Sequence, residues 1–247
     1  YLYYADRIYQ INLAIAGIAI GTVVLPELSK KIKAGNISEA MIVQNKSIEL
    51  CLLLSIPACL GLIIASEQIT SALFGYGSFL ETDVFLTAQA LKYFGFGVIA
   101  FALIKVLSNF FFARNNTKIP FYISLFSVIL NIIISVIYFK EFGFIIIPIA
   151  TSIATWCAII VYLVMLLKLK YLNTSLIFYI NFIKIIISVV VMSFLLYFLI
   201  TFFEDKLIYS NYYKSFYLIM IVGLAATIYL LSARLLGVFK IKNFKTN

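Results

Sequence analysis

Long apolar runs alternate with short polar segments along this chain. Seven runs are long enough for an α-helix to cross a bilayer, which takes about 20 residues. They cover residues 3–28, 47–66, 84–112, 120–139, 142–167, 176–203 and 213–237. Strands of a membrane β-barrel would be about ten residues long with alternating polarity, whereas these runs are longer and uniformly apolar. The pattern predicts an all-α fold: a polytopic membrane helix bundle with about seven transmembrane helices.

Prolines indicate where these helices end or bend. Pro26 is expected to close the first helix, after which the turn "KKIKAGN" follows the membrane surface. Pro57 and Pro148 lie inside the second and fifth runs, where the missing N–H is expected to kink the helix. Proline kinks are common in membrane helices, so these positions predict shape rather than function.

Composition and charge support an integral membrane protein. The chain is 64% hydrophobic and 12% charged, with a mean hydropathy of +1.09, whereas soluble domains carry about 25% charged residues. Summing alternate loops puts eleven bases on one side against two on the other. By the positive-inside rule the basic side is cytoplasmic, so the C-terminus is expected inside and the first helix to begin outside. The net charge of +9 therefore indicates topology and anionic lipids, not nucleic acid.

Residues for catalysis or metal binding are sparse. The chain has no histidine, and Cys51, Cys59 and Cys157 lie inside apolar runs without paired metal-ligand spacing. The acids are scattered over different loops. The sequence therefore predicts neither an enzyme, nor a metal site, nor a cofactor. Because Tyr1 already lies in an apolar pattern without a basic leader, we also expect the chain to be a fragment of a longer protein.

Arg7 is the most informative charge, because ionisable residues inside membrane helices commonly mark functional sites. On a wheel of 100° per residue, Gln10, Gly17 and Gly21 lie within about 80° of Arg7. The two glycines, in "GIAIG", have the small-xxx-small spacing of closely packed helices. The wheel therefore predicts helix packing at Gly17 and Gly21, with Arg7 on the same side, facing protein or a water-filled cavity. Snorkelling of Arg7 to the outer headgroups is the alternative.

The chemistry of Arg7 suits a phosphate, because its planar guanidinium donates two parallel hydrogen bonds and keeps its charge. Asp6 lies about 100° away on the same wheel, so it is not a simple partner of Arg7. A contact through a neighbouring helix and a contribution to an ion site both stay open for Asp6. Lys105 lies about 12 Å from the cytoplasmic end of its helix at 1.5 Å per residue, so both snorkelling and a cavity position fit it.

Three polar residues in the fourth and fifth runs form a second candidate site. Asn131 and Ser135 are one helical turn apart, and Thr151 follows Pro148. Oxygen atoms beside a kinked backbone suit a monovalent cation. Hydrogen bonding between helices is the commoner use of such residues, and both readings stay open.

Several motifs resemble the C-terminal half of the MurJ (MviN) lipid II flippase family, within the multidrug/oligosaccharidyl-lipid/polysaccharide exporter superfamily. They are "YYADRIYQ", "GIAIGTVVLPELSK", "ITSALFGYGSF", "TAQAL" and "KVLSNFFFARNNTKIP". They occur in the family's order and spacing over residues 3–120, and beyond them the likeness is mainly in hydropathy and helix number.

This resemblance implies a fourteen-helix transporter of two lobes. Residues 1–170 would supply five spans of the C-terminal lobe, and residues 171–247 two additional spans that form a lipid-tail groove, followed by a cytoplasmic C-terminal tail. The N-terminal lobe would be absent from this chain and would be its partner. Arg7 would be one of the arginines that hold the diphosphate of lipid II, with Asp6 beside it, Gln10 nearby and Lys105 at the basic position of the "KVL" motif.

Two departures from the family pattern change these expectations. Asn12, Leu13 and Ala14 stand where the family usually has proline and glycine, so the usual break in the first helix is expected to be softened. Ser135 stands where some relatives carry the acid of a sodium site. Coupling to a monovalent cation or to the membrane potential is therefore left open.

The resulting hypothesis is a multi-pass protein of the bacterial inner membrane that flips lipid II, or a similar polyprenyl diphosphate-sugar, to the outer leaflet by alternating access. Its other partners would be membrane lipids. An exporter of another polyprenyl-linked saccharide, such as an O-antigen unit, is the alternative. An integral membrane glycosyl- or acyltransferase is less favoured, because it requires clustered carboxylates or a histidine at the membrane face.

Overall fold

A computed structural model describes residues 1–238, apart from the side chains of Asn12, Ile15, Ile18 and Ala19. Within this range the chain is helical and has no β-strand. The helices are α1 (Leu2–Leu13), a π-helix (Ala14–Ile18), α2 (Ala19–Lys33), α3 (Ile37–Ile64), α4 (Ser66–Phe74), α5 (Glu81–Phe112), α6 (Lys118–Phe142), a 3₁₀-turn (Gly143–Ile145), α7 (Ile146–Lys168), α8 (Leu176–Phe202), α9 (Glu204–Leu207) and α10 (Lys214–Leu235). The last part of the predicted cytoplasmic tail, 239–247, lies outside the described residues.

Five helical stretches of the described chain are long and apolar enough to cross a membrane. One of them, Lys118–Lys168, is 51 residues long and consists of α6 and α7, which pack against each other across the 3₁₀-turn. All seven predicted runs therefore lie in helices, although the first, 3–28, is not among the five stretches. The all-α membrane bundle is confirmed, and the chain is a multi-pass membrane protein.

The first predicted helix differs from the expectation at Pro26. The helix does not close there: Pro26 lies inside α2, which continues to Lys33. A proline removes one backbone hydrogen bond, but membrane helices tolerate it when neighbouring groups satisfy the freed carbonyl. The turn follows instead at Gly35, whose φ of +75° is the left-handed conformation that ends many helices.

The other two prolines have different positions in their helices. Pro57 lies in the interior of α3, as predicted. Pro148 is the third residue of α7, where its missing N–H has no intrahelical partner to lose. The predicted kink inside the fifth helix is therefore wrong, and the chain changes direction before α7, at the 3₁₀-turn.

Helix α5 is the centre of the bundle. In the most apolar 18-residue segment of α5, 72% is buried. In the corresponding segment of α10, 28% is buried. Helix α5 contacts α1, α2, α3, α4 and α7. Small residues on α5 allow this close approach of neighbouring backbones, namely Ala88, Ala90, Gly95, Gly97, Ala100 and Ala102. Helices α8 and α10 pack against each other, and α8 also packs against α3.

Candidate functional site

The first three turns of α1 carry the first candidate residues. The Arg7 side chain is exposed, and its guanidinium lies over the Tyr3 ring, 4.9 Å from the ring centroid. The Gln10 amide donates a hydrogen bond to the Asp6 carboxylate one turn away on the same helix. Asp6 is thus held by Gln10, and Arg7 rests on an aromatic face that leaves its N–H groups available to a ligand.

The buried face of the first helix changes direction at the π-helix. Before it, Ala5 and Ile8 are buried; within it Gly17 is buried, and after it Gly21 and Val24 are buried. A π-turn contains an extra residue, so a wheel of 100° per residue does not hold across Ala14–Ile18. Consequently Arg7 does not share the packed side of the two glycines, although the wheel predicted it would. The softened helix break takes the form of this π-helix.

Gly17 and Gly21 lie directly against α5. A Cβ atom added to Gly17 would be 3.2 Å from the Ala102 Cα and 3.3 Å from the Lys105 Cγ. At Gly21 an added Cβ would be 2.9 Å from the Asn109 Nδ2, and that amide donates a 2.9 Å hydrogen bond to the Gly21 carbonyl oxygen. The absence of side chains at both positions therefore allows the π-helix and α2 to approach α5 closely.

Gly17, Gly21 and Asn109 also line a cavity of about 870 Å³. Exposed Lys105 and Lys118 bring two ammonium groups to the cavity, and Phe121 and Tyr122 provide aromatic surface. Positive charge beside apolar surface suits an amphipathic anion. Arg7 is not among the residues that line this cavity, so the structure groups Lys105 with the glycines and leaves Arg7 with Asp6 and Gln10.

Two residues of this region were not predicted from the sequence. Asn109 is four residues after Lys105 and is buried. An amide in an apolar helix indicates a hydrogen bond to a neighbouring helix, and this signal was available in the sequence. Lys118 contributes to the charge of a basic loop in the sequence, and its position at the start of α6 gives no indication that it lines a cavity with Lys105.

Arg114, at the end of the "KVLSNFFFAR" motif, holds parts of the backbone together. Its guanidinium donates to the carbonyl oxygens of Phe110 (2.7 Å) and Tyr171 (3.2 Å) and lies 4.4 Å from the centroid of the Tyr171 ring. Burial lowers the pKa of the Arg114 guanidinium. Arg114 thus caps the C-terminal carbonyls of α5 and holds the loop between α7 and α8.

The second candidate site joins α6 and α7 through hydrogen bonds. The Asn131 amide donates to the Thr151 hydroxyl (2.8 Å), which itself donates to the Ile147 carbonyl oxygen (2.6 Å). The Ser135 hydroxyl donates to the Asn131 side-chain oxygen at 3.4 Å. The structure therefore brings all three residues together. Within residues 1–238, no cluster of three or more His, Cys, Asp or Glu residues is arranged to hold a metal.

Comparison with known sequences finds one family that this chain resembles. A sequence model of the lipid II flippase MurJ family matches residues 1–222. A probable lipid II flippase MurJ of Rickettsia prowazekii is 43% identical over 155 residues, which are 63% of this chain and 31% of the relative. The counterpart in Buchnera aphidicola subsp. Schizaphis graminum is 29% identical over 241 residues, covering 96% of this chain and 46% of the relative.

The fold agrees with a solved structure of the same kind. A lipid II flippase MurJ in an inward closed conformation matches with a TM-score of 0.79 and 25% sequence identity. The match covers 95% of this chain and 46% of the solved chain. The chain thus spans about half the length of these relatives.

Proposed function

The chain belongs to the MurJ lipid II flippase family, and from this premise we propose that it acts as one half of a transporter that flips lipid II to the outer leaflet of the bacterial inner membrane. The proposal rests on the environment of Arg7. Its side chain is exposed near the end of an apolar helix and lies over the Tyr3 ring. No acid lies within ion-pair distance of it among the described residues. Among the described residues, the ion pair within 4 Å is Lys31–Glu39.

The physical problem is the anionic head of a polyprenyl diphosphate-sugar, which hydrocarbon excludes strongly. A fixed arginine replaces the water around the diphosphate with charge-assisted hydrogen bonds. The Asp6 carboxylate accepts a hydrogen bond from Gln10 and forms no ion pair with Arg7 within 4 Å among the described residues. Rocking of this helix bundle against a second lobe then exposes the head to one leaflet or the other by alternating access. No covalent step is required.

Lys105 is the second proposed contact for the head. Its stem lies against Gly17, and Lys105 lines the 870 Å³ cavity together with Lys118. A head released from Arg7 would meet these two cations toward the other end of the bundle, because Lys105 is seven residues before the end of α5 and Lys118 begins α6. In the proposed topology this end is cytoplasmic, as is the C-terminus, because the basic loops gather there.

The two last long helices are proposed to guide the polyprenyl tail. Helix α8 exposes Ile183, Val190 and Phe194, and α10 exposes Ile219 and Leu230. Such faces stay in contact with lipid while the head moves through the bundle. The exposed apolar surface supports this assignment by its chemistry, because a polyprenyl chain prefers hydrocarbon.

For the energy source we propose the membrane potential rather than a bound cation. The Asn131, Ser135 and Thr151 side chains hydrogen-bond to one another or to the backbone, and none of the three carries a negative charge to hold a cation. Moving one charge across the membrane gains about 2.3 kcal/mol per 100 mV, and the head of lipid II is anionic.

Complementation tests the proposal. Arg7→Ala in the full-length protein should fail to rescue a bacterial strain depleted of its own flippase, while membrane insertion stays normal. Arg234→Ala is the matched control, because Arg234 is also exposed but lies at the end of α10. Normal growth with Arg7→Ala, or equal failure of both variants, would refute the role of Arg7.

A further inference from the structure

A second cavity, of about 940 Å³, lies between α3 and the beginning of α8. The loop between α7 and α8, together with Gly237 and Val238 just after α10, completes its walls. This is the end of the bundle that the basic loops assign to the cytoplasm. The cavity is separate from the surface around Arg7 and from the Lys105 cavity, since it shares no lining residue with either.

Hydrogen bonds fix the walls of this cavity. The Asn45 amide in α3 donates to the Asn173 carbonyl oxygen at 2.8 Å, and Arg114 holds the same loop at Tyr171. Deeper in the bundle, the Asn181 amide of α8 donates to Glu49 Oε1 of α3 at 2.9 Å. The helices and the loop are thus tied together around the cavity, which makes it a built feature rather than a gap between loosely packed helices.

The charges in the cavity are two lysines and one acid. Lys46 and Lys184 both line it and both interact electrostatically with Glu49. Neither lysine forms an ion pair within 4 Å in the part of the chain that the structure describes. The three side chains together carry a charge of +1, so two ammonium groups and one carboxylate oxygen are available to a ligand.

Apolar side chains flank these charges. Ile42, Ile177 and Ile180 line the cavity, and each exposes 45% or more of its surface. A soluble ion would leave these side chains in contact with water. A ligand with an anionic head and hydrocarbon chains would cover them, and the cytoplasmic leaflet is rich in such lipids.

We propose that this cavity binds a phospholipid of the cytoplasmic leaflet whose head carries a single negative charge, of the phosphatidylglycerol type. Its phosphate lies between the ammonium groups of Lys46 and Lys184, and a glycerol hydroxyl donates a hydrogen bond to Glu49. The acyl chains extend along Ile42, Ile177 and Ile180. The site is independent of the proposed flipping of lipid II and rests on different residues.

Lipid-dependent thermal stability tests this site in the purified full-length protein. Phosphatidylglycerol should raise the melting temperature by about 3 °C more than phosphatidylcholine does, because a ligand stabilises the folded state to which it binds. The double variant Lys46→Gln/Lys184→Gln should lose this difference. Lys46→Arg/Lys184→Arg should keep it, which shows that any loss comes from charge and not from misfolding.

The matched control is Lys33→Gln/Lys168→Gln, which removes two exposed lysines from the same predicted side without touching the cavity. This control should keep the preference for phosphatidylglycerol. The proposal is overturned if the two lipids stabilise the protein equally or if phosphatidylethanolamine stabilises it more than phosphatidylglycerol. It is also overturned if the glutamine pair keeps the preference, or if the arginine pair or the control loses it.

Discussion

Tyr229 in α10 donates a 2.5 Å hydrogen bond to the backbone carbonyl oxygen of Leu53 in α3. Leu53 is four residues before Pro57, so its carbonyl is the one whose helical N–H donor the proline removes. The Tyr229 hydroxyl, which is buried, replaces that donor. The bond thus compensates for a proline inside a membrane helix and attaches the last long helix to the bundle.

Tyr229→Phe should lower the free energy of unfolding by about 1 kcal/mol, because the Leu53 carbonyl loses its donor while the ring stays in place. Thermal unfolding in detergent measures this. Tyr197→Phe is the control, since Tyr197 is 65% exposed and should change little. An equal loss in both variants would contradict the compensating role.

The loss on Tyr229→Phe should also depend on Pro57. In a Pro57→Ala background the new N–H satisfies the Leu53 carbonyl within α3, so Tyr229→Phe should cost less than it does in the presence of proline. A double-mutant cycle measures this coupling. Additive effects of the two changes would show that the hydroxyl does not replace the missing donor.

Gly21→Ala should destabilise the protein by about 1–3 kcal/mol, the usual cost of overfilling a packed contact. The new Cβ would be 2.9 Å from the Asn109 Nδ2 and would disturb the hydrogen bond that this amide makes. Gly61→Ala is the control: its Cβ would meet nothing within 4 Å, and alanine favours a helix. Destabilisation by both changes alike would mean that close packing at Gly21 is not the cause.

Lys105→Gln should weaken binding of a polyprenyl diphosphate by roughly 10- to 100-fold, as expected for loss of one charge-assisted hydrogen bond. Binding of lipid II to the purified full-length protein measures the effect. Lys92→Gln should leave binding unchanged, because Lys92 is exposed near the other end of α5 and does not line the Lys105 cavity.

Thr151→Val should cost about 1 kcal/mol, because it removes two hydrogen bonds at the contact between α6 and α7. If the cluster is structural, the loss will be the same in sodium chloride and in choline chloride. Sodium-specific stabilisation that Thr151→Val abolishes would contradict this account and restore the cation site.

Much of the fold was predictable because hydropathy reports burial in lipid directly. All seven runs lie in helices, but the start of α3 at Ile37 instead of near residue 47 was not expected, since Lys46 and Glu39 interrupt the apolar pattern. The sequence predicted a softened break in the first helix but not that it would be a π-helix. It depends on a change of backbone hydrogen bonding that side-chain composition does not reveal, and it moved Arg7 away from the side predicted by the wheel.

Contacts between distant residues were the least predictable. Lys214 is 1% exposed, although it reads as an ordinary interfacial lysine at the start of the last helix. Its ammonium donates to the carbonyl oxygens of Gly75 and Tyr209 and lies 4.4 Å from the ring centroids of Tyr76 and Tyr209. Tyr209 is only five residues from Lys214, but no local pattern indicates Gly75 and Tyr76, which are more than 100 residues away along the chain.

The central claim is that Arg7 holds the diphosphate while the head crosses the membrane. The most direct measurement is flipping of lipid II in proteoliposomes that contain the full-length protein, compared between wild type, Arg7→Ala and Arg234→Ala. The account predicts that Arg7→Ala reduces flipping to the level of protein-free liposomes and that Arg234→Ala flips at the wild-type rate. Wild-type flipping by Arg7→Ala would contradict it.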